Sequence, residues 1–298
     1  MIRQINSNTM SGYHKHLQQE EYMDSTIKKY LRDIRIFAAW LGDQKNDPDT
    51  RAEMEAKKNR DVTVDKNAVA AWKAYLIEEG YASVTVNAML SSLNGFFDFL
   101  GWEECKVKFL KIQRRIFRNQ ERELSKAEYQ HLLDCAKKLE NPRLLLLMET
   151  ICATGIRVSE VKYITVEAIT QRRADISLKG KVRTILLPGK LCKKLKAYAK
   201  KLKIKSGEIF ITKNGKGISR HQIWGEMKRL CEKAEVNPTK VFPHNLRHLF
   251  ARTFYGLSRD IVKLADVLGH SSIETTRIYL ISTGETHARQ MERMGLIS

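Results

Sequence analysis

"FPHNLRHLFARTFYGLSRDIVKLADVLGH", residues 242–270, decides how this chain folds and where its chemistry sits. Leu246, Leu249, Phe250, Phe254 and Leu257 recur at helical spacing, so a helix with one buried apolar face is expected. At about 100° per residue, His244 and Arg247 fall together at one edge of that face. An arginine fork bonds two oxygens of a phosphate at once, and a histidine gives or takes a proton near neutral pH. His244 and His248 have i,i+4 spacing that would suit a metal pair, but no nearby Cys or Glu completes a zinc motif. Neither a metal nor another cofactor is expected.

The next stretch, "LGHSSIETTRIYL" (268–280), has Ser271 and Glu274 at capping-box spacing. This predicts a helix after His270, with His270 at its entrance and Tyr279 exposed near its second turn. Taken alone, the fragment reads equally well as a loop histidine and an amphipathic surface tyrosine. Upstream, "RLLLLMETICATGIRVSEVKYI" (143–164) is helical around a small-residue break at Thr154-Gly155, and carries Arg157 with Glu160 one turn on. "ADISLKGKVRTILLPG" (174–189) reads as two short strands joined at Lys179-Gly180-Lys181. "KLCKKLKAYAKKLKIK" (190–205) puts Leu191, Leu195, Tyr198 and Leu202 on one face and lysines on the others, a solvated face first and a phosphate contact second. Asn214-Gly215 marks a hairpin-like turn before a helix capped by Ser219, with Gln222 three residues on.

The first part of the chain is all helix by its periodicity. In "DSTIKKYLRDIRIFAAWLG" (24–42), Ile27, Tyr30, Leu31, Ile34, Phe37, Ala38 and Leu41 form the apolar stripe, with Gly42 as the expected stop. "VDKNAVAAWKAYLIEEG" (64–80) and "SVTVNAMLSSLNGFFDFLG" (83–101) supply two more amphipathic helices. About four helices over residues 10–105 make a small helical domain. The basic run "KVKFLKIQRRIFRNQER" (106–122) is the expected linker, and residues 123–298 a second, mixed α+β domain opened by a Ser125/Glu128 capping box. The fold class is thus mainly α with a small β-sheet, in two domains.

The whole composition fits a protein that holds a polyanion. Of 298 residues, 53 are Lys or Arg and 34 Asp or Glu, a formal charge of +19. The basic residues are spread through helices and loops, not gathered beside an apolar anchor, which favours nucleic acid over a membrane surface. A merely soluble basic protein is the bland alternative. Five scattered cysteines without a Cys-x-x-Cys pair, no long apolar span and no signal-peptide core point to a reduced, cytoplasmic protein.

Arg157 of "TGIRVSE", His244 and Arg247 of "HNLRH", His270 of "LGH", and Tyr279 nine residues later stand in an order that resembles the tyrosine site-specific recombinases, the family of the phage integrases and Xer recombinases. The resemblance spans nearly the whole chain; Leu249 departs from the small or hydroxyl residue common after the family's "LRH". It implies a helical core-binding domain, a catalytic domain, and a reaction in which Tyr279 attacks a DNA phosphate to leave a 3′-phosphotyrosyl link and a free 5′-hydroxyl. Arg157 and Arg247 would clamp the phosphate in place of a metal ion, His270 would bond a non-bridging oxygen, His244 would assist proton transfer, and Glu160 would orient its neighbours. The family's general acid is a hairpin lysine, matched by Lys179, with Lys181 as the other candidate. By the same resemblance Arg220, His221 and Gln222 open a groove-entering helix. Lys28, Lys29, Arg32 and Arg35, off the apolar stripe, are candidates for phosphate contact or plain surface. The apolar end "THARQMERMGLIS" (286–298) suggests tail exchange within a homotetramer on two double-stranded DNA sites, with folding back onto its own domain as the alternative. The competing functions are a type IB topoisomerase and a non-catalytic DNA-binding protein. Target sequence, chromosome dimer resolution against movement of a mobile element, and accessory proteins that set direction are not written in these residues.

Overall fold

The computed structural model describes residues 3–44, 62–112, 122–178, 181–279 and 291–294. The chain divides into two compact units, Met1–Arg114 and Arg115–Ser298, each with its own core.

The first unit contains helices α1 (Ser7–Gln19), α2 (Asp24–Gln44), α3 (Lys66–Glu78) and α4 (Ser83–Leu100). Asn6 and Thr9 form a capping box at the start of α1, and the Asp65 side chain accepts from the Ala68 N–H at the start of α3. Gly101, at φ +69°, ends α4, whereas α2 runs through Gly42 to Gln44. Trp72, Phe37, Phe96 and Phe97 are buried completely, with Phe37 edge-on to Trp72 at 5.1 Å. A short antiparallel pair, β1 (Gln4–Ile5) with β2 (Val62–Thr63), joins them; two-residue strands leave no periodicity to read. Residues at the start of the expected linker are bound to this unit: Asn87 holds both the N–H and the carbonyl of Leu110, and Lys73 donates to the Lys108 carbonyl.

Asp33 is wholly buried in this helical unit. Burial opposes its ionisation, but hydrogen bonds from Lys29, Arg32 and Ser92 outweigh that and hold its carboxyl below the usual range. Lys29 Nζ reaches Asp33 at 2.7 Å and also the Ala88 carbonyl and Ser92 hydroxyl, both at 3.2 Å, tying α2 to α4. Lys29 and Arg32 therefore neutralise an interior carboxylate, which the reading of them as off-stripe surface did not foresee. Lys28 and Arg35 are exposed.

The second unit holds α5 (Lys126–Lys138), α6 (Pro142–Thr154), a 3-10 turn (Val158–Tyr163), α7 (Val166–Gln171), the hairpin β3 (Arg173–Leu178) and β4 (Lys181–Leu186), then α8 (Gly189–Lys201), α9 (Arg220–Ala234), α10 (Pro243–Ser258), α11 (Ile261–Leu268) and α12 (Ile273–Arg277). Capping boxes at Ser125/Glu128 and Ser219/Gln222 start α5 and α9. The strands pair antiparallel from Arg173↔Leu186 to Leu178↔Lys181; Lys179 and Gly180, between them in sequence, lie outside the described residues. The central core joins Leu147, Met148 and Ile151 of α6 to Leu246 and Leu249 of α10 and to Ile223, Met227 and Leu230 of α9. A satellite cluster gathers Ala251, Leu264, Leu268 and Tyr279, with Phe250 and Phe254 partly buried against it. Leu257 is 85% exposed, contrary to the expected buried stripe. Leu257 keeps the azimuth of buried Leu246, about 20° away after three turns, but stands in the last turn of α10, beyond the residues that the core covers. No described helix is long and apolar enough to cross a membrane.

Candidate active site

Two helix ends converge on Arg247. Helix α6 closes at Gly155 (φ +63°) and α11 at Gly269 (φ +63°), and such C-termini leave carbonyls without helical partners and a partial negative charge. The Arg247 guanidinium, only 1% exposed, fills that need: Nη1 donates to the Gly155 carbonyl and Nη2 to the Leu268 carbonyl at 2.9 Å. Gly155 is required twice over, by its left-handed backbone and because a Cβ there would strike the Phe250 ring. Burial pulls the Arg247 pKa down, partly countered by Tyr279, yet a guanidinium remains cationic at neutral pH.

His270 is fixed by the same helix end. Its backbone N–H returns to the Ala265 carbonyl beyond Gly269, the bond that completes a Schellman motif. Its Nε2 lies 2.8 Å from Arg247 Nη2 and its Nδ1 2.8 Å from Thr276 Oγ1. A guanidinium has no acceptor, so Nε2 accepts and the ring proton sits on Nδ1, donating to Thr276. Burial first, then the charges of Arg247, Arg157 and Arg183, push its pKa down to about 4. His270 is a neutral imidazole at physiological pH.

Arg157 starts the 3-10 turn. Glu160 accepts its backbone N–H at 2.8 Å and its Nη1 at 3.1 Å, and also pairs with Arg183 Nη2. Burial resists ionisation of Glu160, but the Arg157 N–H and the Arg183 and Arg157 charges overcome it and keep its carboxyl below the ordinary range. Arg157 remains 40% exposed at its side chain.

Tyr279 was expected on an exposed second helical turn. It is 5% exposed and sits in the turn just after α12, which is short and is capped by Ser272 onto the Glu274 N–H, not by Ser271. The Schellman ending of α11 draws Ser271 into the turn and shifts the cap by one residue. The Tyr279 hydroxyl accepts from Arg247 Nε at 3.3 Å, and its ring lies 4.3 Å from His248, 5.6 Å from His270 and 5.9 Å from His244, centroid to centroid. His244 is exposed on the first turn of α10 and packs edge-on to the buried His248.

The structure thus brings Arg157, Glu160, His244, Arg247, His270 and Tyr279 together, while Lys179 lies outside the described residues. Arg220, His221 and Gln222 sit exposed on the first turn of α9, where the Gln222 side-chain Oε1 accepts from the Ser219 N–H. Met291 and Met294 of the tail are exposed; Leu296 and Ile297 lie outside the described residues. Sequence reasoning missed Arg183, Thr276 and the packing role of His248. Arg183 alternates in step with buried Ile185 and Leu187, so an arginine on the inward face of β4 was a readable signal.

Residues 122–285 match the phage integrase family, and residues 10–104 its N-terminal SAM-like domain. Tyrosine recombinase XerC of Roseiflexus castenholzii is 28% identical over 295 residues, covering 93% of this chain and 84% of that protein. Tyrosine recombinase XerA of Pyrococcus furiosus is 29% identical over 75% of this chain and 79% of its own. Among solved structures, a lambda integrase dimer bound to a COC′ core site superposes with a TM-score of 0.68 at 16% identity, covering 93% of this chain and 95% of that one. The Tn1549 transposon integrase in complex with transposon right end DNA gives 0.65 at 18% identity, over 96% and 98%.

Proposed function

The chain belongs to the phage integrase family of tyrosine recombinases, and from that premise we propose that it cuts and rejoins duplex DNA with Tyr279 as the nucleophile. One observation carries the assignment: a single buried guanidinium, that of Arg247, binds both the Tyr279 hydroxyl and His270. Attack of Tyr279 Oη on phosphorus forms the phosphotyrosyl bond and breaks the bond to the 5′-oxygen. The phenol proton passes to His244, and the 5′-oxygen takes a proton from the hairpin lysine, Lys179, with Lys181 as the alternative. The phosphate ester preserves the bond energy for religation.

Arg157 and Arg247 bind the non-bridging oxygens as charge grows on them. Since Arg247 already donates to two carbonyls and two side chains, an entering phosphate exchanges with protein acceptors. His270 must then donate from Nε2 where it now accepts. A turn of the Thr276 hydroxyl, which can donate as well as accept, is all the Nδ1 side needs for that change of tautomer. Glu160 holds Arg157 in register.

The reading extends to organisation. Residues 10–105 act as the core-type DNA-binding domain, 106–122 as a basic linker and 123–298 as the catalytic domain, working as a homotetramer on two DNA sites in the cytoplasm. Arg220 and His221 contact DNA at the start of α9, and Lys28 and Arg35 reach backbone phosphates. Tail exchange predicts that truncation after Gly284 abolishes higher assembly on DNA; unchanged assembly would remove it.

Incubating wild type and Tyr279→Phe with a library of nicked duplexes, without divalent metal, tests the central claim. A protein linked to a DNA 3′ end in wild type alone is the expected result, and sequencing the trapped DNA reveals the site. Binding without any adduct, followed by no relaxation of supercoiled plasmid, would leave a DNA-binding protein that does not cut.

A further inference from the structure

Arg183 touches three parts of the site, and no role has yet been assigned to it. From β4 it reaches Glu160 through Nη2 and the Leu268 carbonyl through Nη1, and its side chain lies across Gly269, where any Cβ would collide with it. The Leu268 carbonyl is also the acceptor of Arg247 Nη2, and Glu160 is also the partner of Arg157. One side chain therefore links the partners of both phosphate-binding arginines to β4. Its Nε is buried without a hydrogen-bond partner, so the guanidinium bonds through its two Nη nitrogens.

We propose that Arg183 is a positioning residue of the reaction, a strap that ties the β3–β4 hairpin to the Leu268-Gly269-His270 turn and to Glu160. This rests on the recombinase reading above. When a phosphate draws Arg247 away from the Leu268 carbonyl, Arg183 keeps that carbonyl paired and the turn in place, so His270 does not drift. Through Glu160 it holds Arg157 at a fixed distance from His270. Bonded to Glu160 and the Leu268 carbonyl, it also anchors β4 to the rest of the site. A lysine at 183 keeps the charge but presents one nitrogen where two are used.

The experiment compares full-length wild type, Arg183→Lys and Arg183→Met in single-turnover cleavage of a nicked duplex carrying the trapped site, with DNA affinity measured in parallel. Cleavage is expected to slow by about 10- to 100-fold in both variants, a usual loss for a residue that orients reacting groups, with affinity within about twofold. The histidine proton resonances of the free protein, assigned with His270→Gln, give a second readout. The groups whose charges bear on His270 are Arg247, Arg157, Arg183 and His244, so Arg183→Met should raise its titration midpoint and Arg183→Lys move it less. Cleavage at the wild-type rate in either variant, or a loss that merely follows DNA affinity, overturns the strap. If wild type itself forms no adduct, the recombinase reading fails; an unmoved His270 midpoint in Arg183→Met would then dismiss the strap on its own.

Discussion

Arg247 Nε donates to the Tyr279 hydroxyl across 3.3 Å, in a pocket where both side chains are buried almost completely. The bond is at the long end of the range, and the Arg247 nitrogens keep three other acceptors. Tyr279→Phe should therefore cost less than about 1 kcal/mol in denaturant unfolding while abolishing adduct formation. A much larger loss of stability would mean that the hydroxyl holds the segment after α12 in place.

His270 sets an acid limit on the second unit. Its pKa lies near 4 in the folded chain against an ordinary 6.5, so the unfolded chain binds the proton more readily between those values. Stability should be fully developed above about pH 6.5 and decline as the pH falls towards 4. His270→Gln should flatten that slope in thermal melts taken across this window. The Glu160 contribution, from a lowered carboxyl pKa, begins to be lost only as the pH nears its ordinary 4.5, so it overlaps His270 at the acid end of that window and leaves the upper part to His270.

Two glycines with positive φ separate strain from crowding. Gly155 (φ +63°) faces Phe250 and Leu268, whereas Gly80 (φ +76°) has open space around its missing Cβ. Gly80→Ala should cost about 1–2 kcal/mol from backbone strain alone. Gly155→Ala should add about 1–3 kcal/mol for overpacking. Equal losses in urea titrations would show that the Phe250 ring moves aside freely.

The basic residues of α2 should sort into two kinds. Lys29→Met removes a partner of buried Asp33 and should destabilise the first unit by about 1–3 kcal/mol. Lys28→Ala and Arg35→Ala should leave stability within about 0.5 kcal/mol. Each of these two should instead lower the slope of log K against log salt for DNA binding by about 0.9. Slopes unchanged in both would retire them as phosphate contacts.

Much of this was legible because it is local. Capping boxes at Ser125 and Ser219, the apolar stripes of α2 and α4, and the order Arg157, His244, Arg247, His270, Tyr279 are properties of short strings. What escaped was set by distance along the chain. Asp33 is satisfied partly by Ser92 on another helix, and Lys29 looked like surface because periodicity assigns a residue to a face, not to a partner. Tyr279 looked exposed because nothing in "SSIETTRIYL" tells that Arg247, His248 and the α11 cluster wait to enclose it. Arg183 was readable by strand alternation but carried no motif to draw the eye.

The Leu268 carbonyl, at the last residue of α11, accepts from two arginines, one 85 and the other 21 residues earlier in the chain. Each residue inserted into or deleted from α11 would rotate that carbonyl by about 100° and slide it along the axis by about 1.5 Å. Both guanidinium bonds would break in one step, and His270 would turn with them. The interval from Arg247 to His270 is consequently a ruler of fixed length. Between Arg157 and Arg247, insertions in the loops outside the β3–β4 hairpin change only those loops, whereas one residue added within β4 before Arg183 would turn that side chain to the other face. Within this architecture, length variation belongs to the loops before α10 and is barred from α11.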